Sequence, residues 1–165
     1  MDEIFSPSPE SPALVIGAAG LDVVGRLSDE LHLGSSNPSQ IRSAFGGVAR
    51  NVAENLARLG HPVHLITAVG QDAVGDQLLA QASQAGVDVS KALRTEGYPS
   101  GLYLAVVDKR GELKLALDDM RAIAAITPEY LDKQISLFKN ASVLFIDANL
   151  SRRTLSRATC LQALV

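Results

Sequence analysis

The segment from Phe45 to Gly60 constrains the fold of this chain most strongly, because it has the pattern of one amphipathic helix with both ends defined. Gly60 stands where a left-handed C-terminal cap is expected, and Pro62 prevents the helix from continuing. Apolar and polar side chains alternate at helical spacing, which predicts one buried face and one solvated face. The apolar positions are Val48, Val52, Leu56 and Leu59, and the polar positions are Arg50, Glu54, Asn55 and Arg58.

Two adjacent glycines, Gly46 and Gly47, precede the first turn of this predicted helix. Without Cβ atoms they let a ligand approach the backbone, where the first-turn N–H groups have no partner within the helix. Asn51 adds an amide that can both donate and accept hydrogen bonds. Such an entrance suits a neutral polyol. The alternative is that the glycines form a tight turn and that Asn51 is a solvated helix residue.

Strands and helices alternate along the chain. Short apolar runs predict buried strands at residues 13–16, 63–69 and 143–146. Further helices are predicted from an N-cap at Asp72 to about residue 85, from an N-cap at Thr127, and from Ser151 to residue 165. This order predicts right-handed crossovers and an α/β fold with a parallel sheet. Additional β-prone runs lie at residues 21–24, 41–45, 100–107 and 112–117, the last two joined by a predicted hairpin turn at residues 108–111.

Polar residues in or after the predicted strands are candidate ligand-binding groups. Asp22 stands among branched apolar residues, and because burying an unpaired carboxylate is costly, it needs partners or an open cleft. Its two oxygens could accept hydrogen bonds from the two hydroxyls of a vicinal diol. The alternative is an ordinary turn or strand-end aspartate. Asn149 follows the strand at 143–146, at the sheet edge where open α/β folds bind ligands.

Two further candidates lie in the predicted hairpin. Asp118 and Asp119 are adjacent, and neighbouring residues of a strand point to opposite sides, so we expect one solvated and one functional carboxylate. Tyr103 could present its ring to a bound base or sugar, and packing within the hairpin is the alternative.

The residues around the predicted helix resemble the N-terminal signature of the ribokinase-like (PfkB) carbohydrate kinase family. The matching residues are Gly46-Gly47-Val48-Ala49-Arg50-Asn51, then Ala53, Asn55, Leu56, Ala57, Leu59 and Gly60. In that family the glycine pair and the asparagine line the sugar site, and an aspartate after the first strand, here Asp22, grips the sugar hydroxyls. The resemblance covers residues 13–165 and implies a Rossmann-like parallel sheet flanked by helices. It also implies a small β-strand lid, formed by strands within about 22–45 and 98–118.

Within the family, other segments resemble the pseudouridine kinases, whereas Val48 replaces the lysine that often follows the glycine pair in ribokinases. These segments are Ser36-Asn37-Pro38, residues 47–56, Asp118-Asp119-Met120 and Asp147-Ala148-Asn149-Leu150. The implied reaction is phosphorylation of the 5′-hydroxyl of pseudouridine, with ATP and Mg²⁺ as cofactors. The resemblance and the residues together give the substrate-binding candidates Asp22, Asn37, Gly46, Gly47, Arg50, Asn51, Tyr103, Asp119 and Asn149. A ribose or fructose kinase and a non-catalytic sugar- or nucleoside-binding module are the alternatives.

Family enzymes are about 300 residues long, the size of one large α/β unit. Their Gly-Ala-Gly-Asp segment, which supplies the catalytic base and an anion hole, has no counterpart among these 165 residues. We therefore expect no catalytic residue in this chain, most of the ATP site in an absent C-terminal half, and no activity from the chain alone. Residues 1–12, with three prolines among serines, favour a disordered tail.

Charge and composition exclude several classes of partner. A net charge of −3 argues against nucleic acid and anionic membranes, and no apolar run approaches a membrane span, which favours the cytoplasm. Cys160 is the only cysteine, so an internal disulfide is excluded, and no metal site is predicted. Neither a Gly-x-Ser-x-Gly elbow nor a P-loop is present. The expected partners are a small nucleoside or sugar and a second copy of the chain, bound through the lid.

Overall fold

A computed structural model of the chain describes residues 11–164. Its central sheet consists of the parallel strands β1 (Ala13–Ile16), β4 (Val63–Ile66) and β9 (Val143–Ile146), in the order β4-β1-β9. The predicted parallel α/β architecture is therefore confirmed. The predicted tail at residues 1–12 lies outside the described residues except for Ser11 and Pro12. The Pro12 carbonyl accepts a hydrogen bond from Ser142 N at 2.9 Å.

Helices cover both faces of this sheet, because alternate residues of β1 point to opposite sides. Ala13 and Val15 pack in one cluster with α1 (Val48–Arg58) and α2 (Ala73–Gln84). Leu14 and Ile16 pack in another with the helices on the opposite face. Those helices are α3 (Pro128–Asp132), α4 (Ile135–Asn140) and α5 (Arg152–Ala163). A 3₁₀ turn at Arg121–Ala125 precedes them.

The predicted N-caps are confirmed. The side chain of Asp72 accepts a hydrogen bond from Gly75 N at 2.8 Å, and that of Thr127 accepts one from Tyr130 N at 3.2 Å. Gly60 adopts the expected left-handed conformation, with φ +86°, after α1. Local sequence signals therefore fix where these helices begin and end.

A second sheet of four strands projects from the first. It contains β2 (Gly20–Leu27), β3 (Ser39–Gly46), β7 (Gly101–Val107) and β8 (Leu113–Asp119), in the order β3-β2-β7-β8. The predicted hairpin of β7 and β8 is confirmed by their antiparallel pairing. The pair β2 and β7 is parallel, so this sheet combines one crossover with two hairpins.

The predicted single strand at residues 63–69 is wrong, because the chain changes partners at Thr67. β4 ends at Ile66, and β5 (Ala68–Gly70) pairs instead with β6 (Leu93–Thr95) in a separate two-stranded sheet. The carbonyl of Thr67 accepts a hydrogen bond from Leu93 N at 2.8 Å. A continuous apolar run does not reveal such a change of partner.

The buried face of α1 also differs from the prediction. Val48 and Leu59 are 59% and 76% exposed, although both were assigned to the apolar face. Ala49 and Ala53 are buried instead, because small side chains let the helix approach β1 closely. Three further apolar residues of α1 pack beside them, namely Val52, Leu56 and Ala57.

Candidate functional site

The glycine pair at the entrance of α1 is packed so closely that neither residue has room for a Cβ atom. Gly47 has φ +96°, and a Cβ there would overlap the backbone of Ala18 and Ala19. A Cβ on Gly46 would overlap the carboxylate of Asp22. The two glycines therefore bring the β1–β2 turn and Asp22 against the start of α1.

The carboxylate of Asp22 lies over Gly46 and is half-buried. It makes no hydrogen bond or ion pair with any residue in the range 11–164. Burial raises the pKa of this carboxyl above its usual range, because desolvation disfavours the charged form. The result is a partly desolvated acceptor with unfilled lone pairs, which suits a ligand that donates hydrogen bonds.

The first turn of α1 offers two backbone donors beside this carboxylate. Ala49 N and Arg50 N are occupied, the first by Asp147 Oδ2 at 3.2 Å and the second by the Ala18 carbonyl at 3.2 Å. Within the described part of the chain, the N–H groups of Gly47 and Val48 donate to no other group. A ligand oxygen near the glycine pair could therefore accept from them.

Asn51 is exposed on the same turn, and its N–H donates to the Gly47 carbonyl at 2.9 Å. Its side-chain Oδ1 accepts a hydrogen bond from Arg50 Nη1 at 3.1 Å. Asn51 and Asp22 are thus both adjacent to the glycine pair, one on the helix and one on the sheet. Arg50 fixes the orientation of the Asn51 amide, so that its NH₂ group faces away from that bond.

Arg50 itself is buried, whereas the sequence pattern assigned it to a solvated face. Its guanidinium donates to the Phe45 carbonyl at 2.9 Å and to Gln81 Oε1 at 2.6 Å, and it forms an ion pair with Glu54. These contacts direct its charge toward α2. The structure therefore gives this candidate a role in holding α1, α2 and β3 together.

Asp147 joins several elements of the site, and the sequence analysis did not select it as a candidate residue. Its Oδ2 accepts hydrogen bonds from Ala18 N at 2.7 Å and from Ala49 N at 3.2 Å, and its Oδ1 accepts one from Asn149 N at 2.9 Å. One buried carboxylate thus joins the end of β1, the start of α1 and the loop after β9. Only the backbone N–H of Asn149 takes part in these bonds, and Asn149 itself is exposed at the same sheet edge. The sequence feature that could have identified Asp147 is its position as the first polar residue after a buried strand.

The register of the four-stranded sheet separates the two adjacent aspartates. Asp118 pairs with Tyr103, which pairs with Asp22, so these three side chains share one face. Asp119 lies on the other face, where Arg121 donates to its carboxylate at 2.8 and 2.6 Å. Those hydrogen bonds lower the pKa of Asp119 to about 2. The structure therefore brings Asp118, rather than the predicted Asp119, to the Asp22 face.

Asn37 lies far from the glycine pair. It follows the distal end of β2, where Leu27 pairs with Ser39, about 17 Å along the strand from Asp22. Its side chain accepts from His32 N at 2.7 Å and donates to the carbonyls of His32 and Ser35, both at 2.9 Å. The structure therefore gives Asn37 a role in ordering its own loop.

Among residues 11–164, no helix combines the length and the apolar character that a membrane crossing needs.

Residues 13–164 match the pfkB family of carbohydrate kinases. The pseudouridine kinase of Escherichia coli K12 is 41% identical over 143 residues, which are 87% of this chain and 46% of the relative. The uncharacterized sugar kinase YeiI of the same bacterium is 34% identical over 142 residues, which are 86% of this chain and 39% of the relative.

A solved structure has the same fold. The carbohydrate kinase from Agrobacterium tumefaciens superimposes with a TM-score of 0.82 at 31% identity, covering 93% of this chain and 50% of that protein. The chain thus spans half or less of the length of the proteins it matches. Because the match extends over nearly every described residue, this chain belongs to the pfkB family of carbohydrate kinases.

Proposed function

We propose that this chain is the acceptor-binding half of an ATP-dependent nucleoside kinase that phosphorylates the ribose 5′-hydroxyl of pseudouridine. The observation that carries this proposal is the unpaired carboxylate of Asp22, which lies over Gly46 beside the free N–H groups of Gly47 and Val48. A pair of neighbouring hydroxyls is the ligand group that such a carboxylate would bind. The 41% identity to a pseudouridine kinase supports the nucleoside as the acceptor.

In this proposal the chain binds and orients the ribose. Asp22 accepts hydrogen bonds from two hydroxyls, and the exposed amides of Asn51 and Asn149 approach the sugar from the helix and from the loop after β9. Holding the acceptor in one orientation accounts for much of the catalysis in phosphoryl transfer. The four-stranded sheet would act as the lid that excludes water from the sugar.

ATP bound with Mg²⁺ would supply the phosphoryl group, and we propose that most of its site and the catalytic base lie outside these residues. The free edge of β9 supports this view. Within the described residues β9 pairs only with β1, and its Val143 and Phe145 are 41% and 39% exposed. A further strand paired with β9, together with the helix that follows it, would cover this unpaired edge and these apolar side chains.

We also propose that two copies associate through the four-stranded sheet. The face opposite Asp22 carries exposed apolar residues, among them Ile41 at 72% and Leu117 at 59%. An apolar face of this kind favours association in water. Light scattering coupled to gel filtration should give a dimer for the native chain and a monomer for Leu117→Asp. A native chain that is monomeric at all concentrations would exclude this interface.

The acceptor is tested by measuring ADP production from the chain expressed with any coding sequence that continues beyond Val165. Pseudouridine, uridine, ribose and fructose are compared, and we expect the highest kcat/KM with pseudouridine. Equal rates with all four would exclude the nucleoside assignment.

Binding is tested on the chain itself by calorimetry. Asp22→Asn should weaken pseudouridine binding by about 1.5 to 3 kcal/mol, the contribution of hydrogen bonds to a charged group. Asp29→Asn is the matched control, because Asp29 is an exposed aspartate whose partner is Lys109. Unchanged affinity for Asp22→Asn would refute the ribose site.

A further inference from the structure

A row of side chains crosses one face of the four-stranded sheet, from Ala44 through Asp22 and Tyr103 to Asp118. The pairing of Asp22 with Ala44 and with Tyr103, and of Tyr103 with Asp118, places all four on the same side. Neighbouring strands are about 4.8 Å apart, so the backbones at Asp22 and Asp118 are separated by about 10 Å. Tyr103 is half-buried, and it stands between Asp22 and Asp118 in this row.

The carboxylate of Asp118 is available to a ligand. It is exposed, and it has neither a hydrogen bond nor an ion pair with any residue between 11 and 164. Its neighbour Asp119 is bound by Arg121 on the other face, beside Leu21 and Leu102. The two adjacent carboxylates are therefore not interchangeable, and only one of them can contact a molecule held by Asp22.

The surroundings of the row leave room above the sheet. The residue that ends the row on β3 is Ala44, and the next positions along β7 and β8 on this face are Ala105 and Ala116. The short side chains of these alanines do not extend as far from the sheet as the ring of Tyr103. A planar group could lie against that ring while its edge reaches Asp118.

We propose that Asp118 is a specificity-determining residue that accepts a hydrogen bond from a ring N–H of the nucleoside base, with the base lying against Tyr103. This inference rests on the proposed function, in which Asp22 holds the ribose. A nucleoside that lies across the row spans the separation of the two carboxylates when a hydrogen bond is added at each end. The carboxylate can only accept, so it selects bases whose edge presents a donor.

Pseudouridine meets this requirement twice. Its base is joined to the ribose through carbon, so both ring nitrogens keep a hydrogen, whereas uridine keeps only one. A free sugar has no group that reaches Asp118. The residue therefore contributes to nucleoside binding and not to ribose binding, and this difference separates its role from that of Asp22.

The test is calorimetric titration of the full chain with pseudouridine and with ribose, for the native protein and for Asp118→Ala, Asp119→Asn and Asp22→Asn. Asp118→Ala should weaken pseudouridine binding about tenfold or more and leave ribose binding within about twofold. Asp119→Asn, one residue away on the opposite face, should change neither affinity. Circular dichroism of each variant checks that the fold is retained.

The outcomes separate the two proposals. A change of less than about twofold in pseudouridine affinity for Asp118→Ala, or equal weakening of both ligands, overturns the role of Asp118. If Asp22→Asn weakens both ligands in the same experiment, the ribose site stands even though the base contact fails. If the native chain binds neither ligand, both proposals are overturned.

Discussion

Replacing Asp147 tests whether one carboxylate holds the site together. Its two oxygens accept three backbone N–H groups, at 2.7, 3.2 and 2.9 Å, and the side chain is 8% exposed. A hydrogen bond to a charged group contributes about 1.5 to 3 kcal/mol, and a buried donor left unpaired adds its own desolvation cost. Because the three bonds share one acceptor group, their contributions are not additive. We expect Asp147→Ala to lower the free energy of unfolding by about 3 to 5 kcal/mol.

Asp147→Asn refines this expectation. An amide oxygen can replace Oδ2, which accepts from Ala18 N and Ala49 N, but the amide NH₂ then faces the N–H of Asn149. One of the three bonds becomes a contact between two donors, so this variant should fall between the native chain and Asp147→Ala.

Urea denaturation followed by circular dichroism gives the free energies, and a loss of about 3 to 5 kcal/mol corresponds to a fall of about 9 to 14 °C in Tm for a chain of this size. Asp29→Ala is the control, because its carboxylate is exposed and its pairing with Lys109 is a surface ion pair. It should leave the urea midpoint unchanged. An Asp147→Ala variant within about 1 kcal/mol of the native chain would refute the reasoning.

Three further predictions concern the site and its flanks. As the pH is lowered, pseudouridine affinity should begin to fall while the pH is still above 3.8, because the pKa of Asp22 is raised and its ionised form, which accepts from both hydroxyls of a diol, is lost. Calorimetry across pH should show no such fall for Asp22→Asn. Gly46→Ala should abolish pseudouridine binding with the fold retained, because its Cβ overlaps the side chain of Asp22. In urea denaturation, Gly47→Ala should lower the free energy of unfolding by more than the about 1 to 3 kcal/mol of its strained φ, because its Cβ also overlaps backbone atoms of Ala18 and Ala19. The carboxyl of Asp119 should titrate at about 2 in NMR spectra and return toward 3.8 in Arg121→Gln.

The parts of the fold that could be predicted from sequence depend on local chemistry. Asp72 caps α2 with its own side chain, and the Gly60 conformation ends α1, so neither needs a distant partner. The hairpin between β7 and β8 likewise follows from a turn with Gly111 at positive φ. Such signals act within a few residues, which is why they can be recognised without coordinates.

The parts of the fold and site that could not be predicted depend on contacts between residues that are distant in sequence. Alternation requires that Asp118 and Asp119 point to opposite faces, but which of them joins Asp22 is decided by the register of β7 against β2 and β8. The burial of Arg50 likewise depends on Gln81 of α2, which is distant in sequence. Sequence patterns gave the candidate groups, and long-range pairing decided which of them meet.

The last prediction follows from the contrast between the two carboxylates beside α1. The acceptors of Asp147 are filled by backbone N–H groups, whereas those of Asp22 are filled by none in the described chain. The pKa of Asp22 is raised in the folded state, so between the unfolded and folded values the native chain binds more protons, and stability falls as pH rises through that window. At neutral pH the ionised Asp22 therefore lowers the stability of the free protein.

Asp22→Asn should accordingly raise the urea midpoint at pH 7 while weakening pseudouridine binding, and the gain in stability should disappear as the pH falls below 3.8, the usual value for this carboxyl. Asp147→Asn should do the opposite to stability at neutral pH. A ligand that donates two hydrogen bonds to Asp22 offsets the desolvation cost that the free protein carries. Of the two aspartates, therefore, only Asp22 is a residue whose replacement by Asn should weaken binding and raise stability together. A lower urea midpoint for Asp22→Asn at pH 7 would mean that the carboxylate has a structural partner, and it would remove the physical reason for placing a ligand there.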